Sequence, residues 1–396
     1  MTYSDFNGIK ISKLGFGTMR FPLNDAKEID REKTAEIFDY LIAQGVNYFD
    51  TAYPYHDGKS ELVTAECLAK YPRESYLLAD KFPGHQMYLP LTPEEVFEDQ
   101  LKKCNTTYFD FYLLHNVNDS CYDHYTDKAA GILDYFDAQR KNGRIRHLGF
   151  STHGTPQMME NFINWCEKNG TPMEFCQIQL NYLDRTLQNA EEKVRILNAH
   201  NIPVWVMEPV RGGKLADLPE TDKKKLAAFG KDCTDAAWAM QWLMDVPGVT
   251  CVLSGMTTME QAKDNAKTFA EGKPLTDAEK TALYEIAEGL KAAVPCTGCR
   301  YCTESCPMGL DIPRIIELYN DLKFQATMIP GILVSGLGEG KTPYDCLQCG
   351  ACAAMCPQGI DIPAVMADMC DLLDKAPNWQ KICRDREDAR LAALGK

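Results

Sequence analysis

Short runs of β-branched and aromatic residues alternate with longer amphipathic stretches from Gly15 to about Lys267. In the stretch that begins at Asp30, apolar residues recur at helical spacing and Gly45 suits a C-terminal cap. Eight runs have the length of buried strands, and they begin at Leu14, Val46, Tyr76, Phe109, His147, Phe175, Pro203 and Val249. Strands that alternate with helices form parallel units, so the pattern predicts a closed (β/α)8 TIM barrel of the α/β class.

Two segments flank this alternating pattern. Residues Tyr3 to Ile11, around Asn7-Gly8, predict a hairpin across the floor of the barrel. A helix is predicted from about Thr276 to Ala292, and from Pro295 onward the composition changes to cysteine, proline and glycine.

This change of composition predicts two domains. We expect the barrel over residues 1–292 and a small, mostly α-helical domain over residues 293–396. The second domain is predicted to end in a charged helical tail from Asn378 to Leu394.

Composition narrows the classes of function. The net charge is −14, with acidic and basic residues mixed, so there is no basic stripe for nucleic acid or for anionic lipid. No apolar run reaches about 18 residues, and the N-terminus lacks the apolar segment of a signal peptide. We therefore expect a cytoplasmic protein with no membrane span and no nucleic-acid partner.

The cysteines are concentrated near the C-terminus. Of the 17 cysteines, eight fall in two motifs, CTGCRYCTESCPMGLDIPRI from Cys296 and CLQCGACAAMCPQGIDIPAV from Cys346. The two motifs align without a gap, which indicates the duplication of one unit. Because a cytoplasmic protein keeps its thiols reduced, cysteines in this number indicate metal binding rather than disulfides.

The spacing C-x2-C-x2-C-x3-C-P is the bacterial two-cluster pattern, in which the fourth cysteine of each motif ligates the other cluster. It predicts two [4Fe–4S] clusters, one held by Cys296, Cys299, Cys302 and Cys356 and the other by Cys346, Cys349, Cys352 and Cys306. Zinc is the alternative metal, but zinc sites usually combine two C-x-x-C pairs.

The rest of this region also has a recognisable pattern. Helices are predicted to begin near Pro313 and Pro363, and a long spacer separates the motifs, so the domain resembles the α-helical ferredoxins attached to larger redox enzymes. The spacer contains GILVSGLGEGKTP, from Gly331, which we expect to be a flexible surface connection. It lacks the register of a phosphate-binding loop.

Polar residues stand at the ends of three predicted barrel strands, where the chemistry of such barrels lies. Asp50 ends the second strand, Tyr55 follows it, Lys81 ends the third strand and His115 ends the fourth. A nearby ammonium lowers a phenol pKa from about 10, so Lys81, held by Asp50, is expected to activate Tyr55. His115 would orient a carbonyl oxygen while Tyr55 donates a proton.

The segments DTAYPYHDGKSE, LLADK, YLLHN and GRIRHLGFST resemble motifs of the aldo/keto reductase family, and the resemblance covers about Ser12 to Thr268. It implies an NAD(P)-dependent oxidoreductase that interconverts a carbonyl and an alcohol by hydride transfer, with the four polar residues above as the catalytic tetrad. It also implies contacts to NAD(H) or NADP(H) from Thr18, Met19, Ser151, Gln177, Met207, Arg211, Ser254, Gly255, Gln261 and Asn265.

Three positions depart from the family pattern. Met207 stands where many members stack an aromatic ring on nicotinamide, and Gly255 and Gln261 stand where NADP-specific members have basic residues. The choice between NADH and NADPH is therefore open, and a flavin in the barrel is an alternative.

Hydride carries two electrons, whereas each cluster accepts one. Exchange between barrel and clusters therefore requires a flavin, either in the barrel or in a partner; otherwise the clusters do not share electrons with the reaction of the barrel. A redox partner protein such as a ferredoxin or flavoprotein is expected to exchange electrons with the clusters. Two other interpretations remain: an electron-transfer or interaction module with a non-catalytic barrel as scaffold, and clusters that only stabilise the C-terminal helices.

The loops expected to rim the barrel site are Asn116 to Asp127 and Gly84 to Pro90. They carry Tyr88, Tyr122 and Tyr125 but no clustered arginine or lysine. This composition favours an uncharged aldehyde or ketone as the carbonyl form of the small carbonyl or alcohol substrate.

Overall fold

The computed structural model describes residues 1–87, 91–290, 294, 296, 298–324, 328–376, 385 and 388. A hairpin of two antiparallel strands, β1 (Tyr3–Phe6) and β2 (Ile9–Ser12), precedes the barrel, as the Asn7-Gly8 turn predicts. The Phe6 ring lies 5.4 Å from the Trp205 ring in an edge-to-face arrangement. The hairpin therefore packs its apolar side against the barrel interior.

Eight parallel strands close into a barrel, in which the last strand pairs with the first, so the predicted fold is confirmed. Each begins within two residues of the start predicted from the sequence. They are β3 (Leu14–Gly17), β4 (Tyr48–Asp50), β5 (Leu77–Phe82), β6 (Phe109–Leu114), β7 (Ile145–Thr152), β8 (Cys176–Gln179), β9 (Val204–Met207) and β10 (Val249–Ser254).

Helices surround the barrel. Many begin where a side chain caps the first turn; for example, Thr92 and Thr258 form capping boxes with Glu95 and Gln261. The helices are α1 (Arg31–Ala43), α2 (Ser60–Leu68), α3 (Pro93–Lys103), α4 (Tyr122–Thr126), α5 (Ile132–Lys141), α6 (Pro156–Lys168), α7 (Asp184–Leu187), α8 (Ala190–Ala199), α9 (Glu220–Ala227), α10 (Asp235–Leu243), α11 (Met259–Glu271) and α12 (Asp277–Leu290).

The C-terminal region is helical, as predicted, and has its own apolar core. Its two longest helices begin one residue before Pro313 and Pro363, where proline fits the first turn. The helices are α13 (Tyr301–Glu304), α14 (Ile312–Phe324), α15 (Met328–Ser335), α16 (Ala351–Ala354) and α17 (Ile362–Lys375).

The spacer between the cysteine motifs differs from its prediction. We expected a surface connection from Gly331 onward, but Gly331–Ser335 is the second half of α15, in which Ile332, Leu333 and Val334 are buried. The prediction was wrong here because the short apolar run between the glycines can be buried as part of a helix of two turns. Turns occupy the following residues up to Thr342.

Two predictions fall outside the described residues. The predicted domain boundary between residues 292 and 293 is one, and most of the helical tail from Asn378 to Leu394 is the other. The domain limits therefore stay a prediction. Among the described residues, none of the helices is long and apolar enough to cross a membrane.

Candidate active site and cluster sites

Lys81 lies at the centre of a buried polar group at the carboxyl ends of β4 and β5. Its Nζ donates hydrogen bonds to Asp50 Oδ1 at 2.5 Å and to the Thr51 carbonyl at 2.6 Å. The same nitrogen lies 4.9 Å from the centre of the Tyr55 ring. Because β4 and β5 are neighbours in the barrel, parallel pairing brings these side chains together.

The charges of this group follow from burial and from the ion pair. Burial lowers the pKa of Lys81, but the Asp50 carboxylate and Tyr55 outweigh it, and the net pKa is raised. Burial also raises the pKa of Tyr55 by more than Lys81 lowers it. From the sequence we expected the pKa of Tyr55 to be lowered, but in the structure it is raised. Tyr55 keeps its proton at neutral pH, as a proton donor must.

His115 faces Tyr55 across the cleft, with ring centres 6.0 Å apart and planes at 83°. Its carbonyl accepts a hydrogen bond from the Tyr125 hydroxyl at 2.5 Å and lies 3.0 Å from His85 Nδ1. Burial lowers the pKa of His115 well below its usual value, and the positive charge of Lys81 adds to this effect. The imidazole is therefore neutral at physiological pH.

Sequence reasoning missed two histidines of this cleft, His85 and His153. His85 follows β5 and His153 follows β7, so both stand at the catalytic end of the barrel. Their position after a strand was the available signal. Tyr125, expected at the rim, is instead fully buried beneath His115, and Tyr88 lies outside the described residues.

The cleft continues from Tyr55 along the ends of β8, β9 and β10. It is lined by eight of the predicted cofactor residues: Met19, Gln177, Met207, Arg211, Ser254, Gly255, Gln261 and Asn265. Thr18 and Ser151 are not among the residues that line it. Thr18 is buried and donates to the Asp50 carbonyl at 3.0 Å, while Ser151 Oγ accepts from the Asn116 amide at 2.8 Å.

Two of the lining residues differ in what they offer a cofactor. Gln177 Oε1 is buried and has no hydrogen-bond partner among the described residues, so an acceptor is available in the cleft. Arg211 is buried and both terminal nitrogens of its guanidinium are paired, one with Asp184 and one with Asp321. Its charge is therefore already neutralised, and the expected contact with NAD(H) or NADP(H) would require these pairs to break.

At the far end of the cleft, the helix α11 begins. Asn265 Nδ2 donates to Ser254 Oγ at 2.9 Å. Gln261 Oε1 accepts from the amides of Thr257 at 2.7 Å and Thr258 at 3.3 Å. Gln261 therefore serves the helix cap and offers no positive charge to a ligand.

The eight motif cysteines line two separate cavities. One cavity is lined by Cys306, Cys346, Cys349 and Cys352, and the other by Cys296, Cys299, Cys302 and Cys356. These are the two sets derived from the spacing, with the fourth cysteine supplied by the other motif. Ile362 lines both cavities and stands between them.

The cavities suit a cluster better than one zinc ion. Thiolates around zinc lie about 3.8 Å apart, as its tetrahedral 2.3 Å bonds require. Among the described residues, no three His, Cys, Asp or Glu side chains are close enough to share an ion. The cysteines instead surround apolar space walled by residues such as Leu310, Ile312 and Met366. Such surroundings fit the shielded thiolate environment of an iron–sulfur cluster.

A parallel barrel with this polar group at its carboxyl end, joined to a helical domain with paired four-cysteine cavities, is the architecture of a barrel oxidoreductase with a ferredoxin-like domain. Comparison with known families agrees: the aldo/keto reductase family matches residues 13–288, and the 4Fe-4S dicluster domain matches residues 295–360. This chain belongs to the aldo/keto reductase family and carries a 4Fe-4S dicluster domain at its C-terminus.

Individual relatives are distant. The NADH-specific methylglyoxal reductase of Escherichia coli (strain K12) is 24% identical over 330 residues, which cover 72% of this chain and 97% of that protein. Probable aldo-keto reductase 1 of Glycine max is 31% identical over 152 residues, 36% of this chain and 42% of that protein.

Solved structures show the same barrel. An aldo-keto reductase from Bacillus halodurans in its holo form has a TM-score of 0.59 and 24% identity, and the match covers 72% of this chain and 96% of that chain. A thermostable aldo-keto reductase in complex with the inhibitor epalrestat has a TM-score of 0.58 and 21% identity, over 72% and 100% of the two chains. At these identities the likeness shows the fold alone.

Proposed function

We propose that this protein is an NAD(P)H-dependent reductase of small carbonyl compounds that also passes single electrons through two [4Fe–4S] clusters. The observation that carries the proposal is the group of Asp50, Lys81, Tyr55 and His115 at the carboxyl end of the barrel. It places a protonated phenol, an ammonium and a neutral imidazole around one cleft.

Each member of this group has a distinct task. A bound nicotinamide supplies the hydride that reaches the carbonyl carbon. Tyr55 gives its proton to the carbonyl oxygen, and the adjacent Lys81 charge stabilises the phenolate that remains until solvent returns a proton. Asp50 keeps Lys81 charged in spite of its burial. The neutral imidazole of His115 orients the carbonyl oxygen.

Several residues of the cleft fit a nicotinamide coenzyme. The unpaired Gln177 Oε1 suits the carboxamide amino group, and Met207 offers an apolar surface to the ring. Asn265 and Ser254 stand where the adenosine end is expected. Because Gly255 and Gln261 provide no positive charge for a 2′-phosphate, we favour NADH, and the name of the Escherichia coli relative agrees with this choice.

The clusters are assigned to the cysteine sets that share a cavity. A cluster accepts or donates one electron at a time, so it needs a partner that does the same. Cys299 and Cys349 are exposed, one in each set, which gives an external electron carrier close access to both clusters. A ferredoxin or flavoprotein is the class of partner that this access favours, and the reducing cytoplasm is the compartment that suits it.

The substitution Tyr55→Phe tests the reductase activity. It removes the proton donor and retains the ring, so we expect kcat/KM for NADH-dependent aldehyde reduction to fall by about 10² to 10⁴. Tyr122→Phe is the matched control, because that tyrosine is half-buried and does not line the cleft. Iron content and melting temperature should stay unchanged in both variants. Equal rates for Tyr55→Phe and the wild type would indicate that the barrel is a scaffold.

Spectra of the anaerobically purified protein test the electron-transfer part. Optical and EPR spectra, recorded before and after NADH and NADPH are added, report cluster content and cluster reduction. Flavin absorbance would favour a flavin as the two-electron carrier. Clusters that no nicotinamide and no added ferredoxin can reduce would indicate a purely structural role.

A further inference from the structure

The cleft of the barrel has a roof that comes from the dicluster domain. Met328, Ile329 and Ile332 of α15 line the cleft together with Tyr55 and His115 of the barrel. The next residues of α15, Leu333 and Val334, belong to the apolar core that includes the motif cysteines Cys302 and Cys352, and Ile329 packs against the same core. This short helix therefore contacts both the cleft of the barrel and the apolar core of the dicluster domain.

The position of this roof is fixed by contacts on several sides. α15 packs along α14, and α14 is joined to the barrel by the buried pair of Asp321 with Arg211. At the C-terminal end of α15, Gly336 lies so close to Asp119 that a Cβ at Gly336 would come within 2.9 Å of the Asp119 Cβ. Ile332 itself is only 8% exposed. The roof is therefore part of the packed structure.

One part of the lining of the cleft is polar and uncharged. It contains His115, His85 and His153, and burial lowers the pKa of His85 to about 4 and that of His153 to about 3. Asn116 Oδ1 lines the same cleft, buried and without a hydrogen-bond partner among the described residues. This side can therefore hydrogen-bond a neutral polar group.

A charged substrate has little to bind to here. The Lys81 ammonium is already paired with Asp50, and the Arg211 guanidinium is paired with two carboxylates. Arg20, which also lines the cleft and is half-exposed, is paired with Glu208 at 3.2 Å. A substrate carboxylate or phosphate in this cleft would lose its hydration without gaining a free cation, and binding of such a substrate is therefore unfavourable. The chemistry that fits is an uncharged carbonyl compound with a polar side and a short apolar side.

We propose that Ile329 and Ile332 of the dicluster domain determine which carbonyl compounds the barrel reduces, so that the substrate pocket is built by both domains. The proposal rests on the reductase function above. The side chain of Ile332 limits the length of the apolar substituent that the pocket accepts, and it packs against substituents of the right size. The dicluster domain thereby contributes to substrate choice in addition to carrying electrons.

The test uses two substitutions with opposite effects on the volume of the pocket. Ile332→Ala enlarges the pocket and Ile332→Phe fills it. With propanal and hexanal as probes, we expect the ratio of kcat/KM for hexanal over propanal to rise about tenfold in the first variant and to fall about tenfold in the second. Opposite changes of this ratio in the two variants cannot come from a general loss of stability, because that would lower kcat/KM for both aldehydes together.

Leu333→Ala is the control, because Leu333 neighbours Ile332 on the same helix but lines a different cavity. It should change the ratio by less than twofold; if it fails to fold, Leu333→Val replaces it. An unchanged ratio in both Ile332 variants, with Tyr55-dependent turnover intact, overturns the roof proposal alone. No Tyr55-dependent turnover with either aldehyde overturns the reductase function and the roof proposal with it.

Discussion

Arg211 of the barrel and Asp321 of α14 form a buried ion pair that joins the two parts of the chain. The second terminal nitrogen of the same guanidinium binds Asp184, and Gln188 donates to the other oxygen of Asp321 at 2.8 Å. Arg211 also begins the glycine-containing loop that follows Pro209 and lines the cleft. The cleft loop and the dicluster domain are thus held by one side chain.

The first prediction concerns this pair. Asp321→Asn retains the shape of the side chain but leaves Arg211 with one carboxylate instead of two. Because the pair of Arg211 with Asp184 stays intact, the loss is that of one hydrogen bond between charged groups, about 1.5 to 3 kcal/mol, and we expect a clear fall of the melting temperature. Asp368→Asn is the control, since Asp368 is 43% exposed and pairs with Lys323 within the dicluster domain. It should cost no more than about 1 kcal/mol, and an equal fall in both variants would contradict the prediction.

The second prediction concerns Asp50 and the pH dependence of reduction. The Asp50 carboxylate raises the pKa of Lys81 against the effect of burial, so Asp50→Asn should lower that pKa. A neutral lysine cannot stabilise the Tyr55 phenolate, so kcat falls when Lys81 loses its proton. On raising the pH, this fall of kcat should begin at a lower pH in Asp50→Asn than in the wild type. A profile from pH 6 to pH 10 measures this shift. Asp137→Asn, which removes a pair with Arg140 on helix α5 and outside the cleft, should leave the profile unchanged.

The third prediction concerns acid stability. Burial lowers the pKa of His85 to about 4 in the folded protein, whereas an unfolded histidine has a pKa near 6.5. Below pH 6.5 the unfolded chain therefore binds the extra proton, and the free energy of unfolding falls as the pH falls toward 4. His85 accounts for about 2 kcal/mol of this loss at pH 5. His85→Gln should flatten the dependence of melting temperature on pH, and an unchanged dependence in this variant would contradict the prediction.

The fourth prediction tests whether each cluster takes its fourth cysteine from the other motif or whether each motif holds its own cluster. Two double variants are compared, and each of them loses two cysteines. Cys306→Ser with Cys349→Ser removes two ligands from one cavity, and Cys306→Ser with Cys299→Ser removes one from each. We expect the first variant to keep one cluster of four irons and the second to lose both clusters. Iron analysis and EPR measure the difference. The reverse result would show that each motif holds its own cluster.

The fifth prediction concerns the coenzyme. Gln261→Arg places a positive charge beside the cleft where a 2′-phosphate would lie, and we expect the preference for NADPH over NADH to rise at least about tenfold. Because Gln261 also completes the cap of α11, its loss should lower stability by about 1 kcal/mol. Gln261→Ala shares this loss and lacks the charge, so it should leave the coenzyme preference unchanged.

The barrel could be predicted closely because its signal is repeated. Each strand is an apolar run that must be buried, so β3, β6 and β10 begin where the pattern places them. Strand ends carry the site, so Asp50 and Lys81 could be paired from their positions alone. The two cysteine sets could also be predicted, because the geometry of cluster ligation restricts the spacing of the cysteines in each motif.

Other features depend on contacts that sequence spacing does not encode. The net pKa of Tyr55 reflects a balance between burial and the Lys81 charge, and only the three-dimensional packing fixes which effect is larger. The contact of Ile332 with the cleft and the pair of Arg211 with Asp321 join residues more than 100 positions apart. No periodicity or motif connects such residues, so the roof of the cleft could not be predicted.

The two cysteine cavities also constrain how the protein is made. Each cavity takes three cysteines from one motif and one from the other, so one set is complete only when Cys352 has been synthesised and the other only when Cys356 has. By then every strand of the barrel has left the ribosome, because β10 ends at Ser254. Iron–sulfur loading is therefore a late step in biogenesis, and a nascent chain that stops between the motifs would carry a finished barrel with two incomplete metal sites.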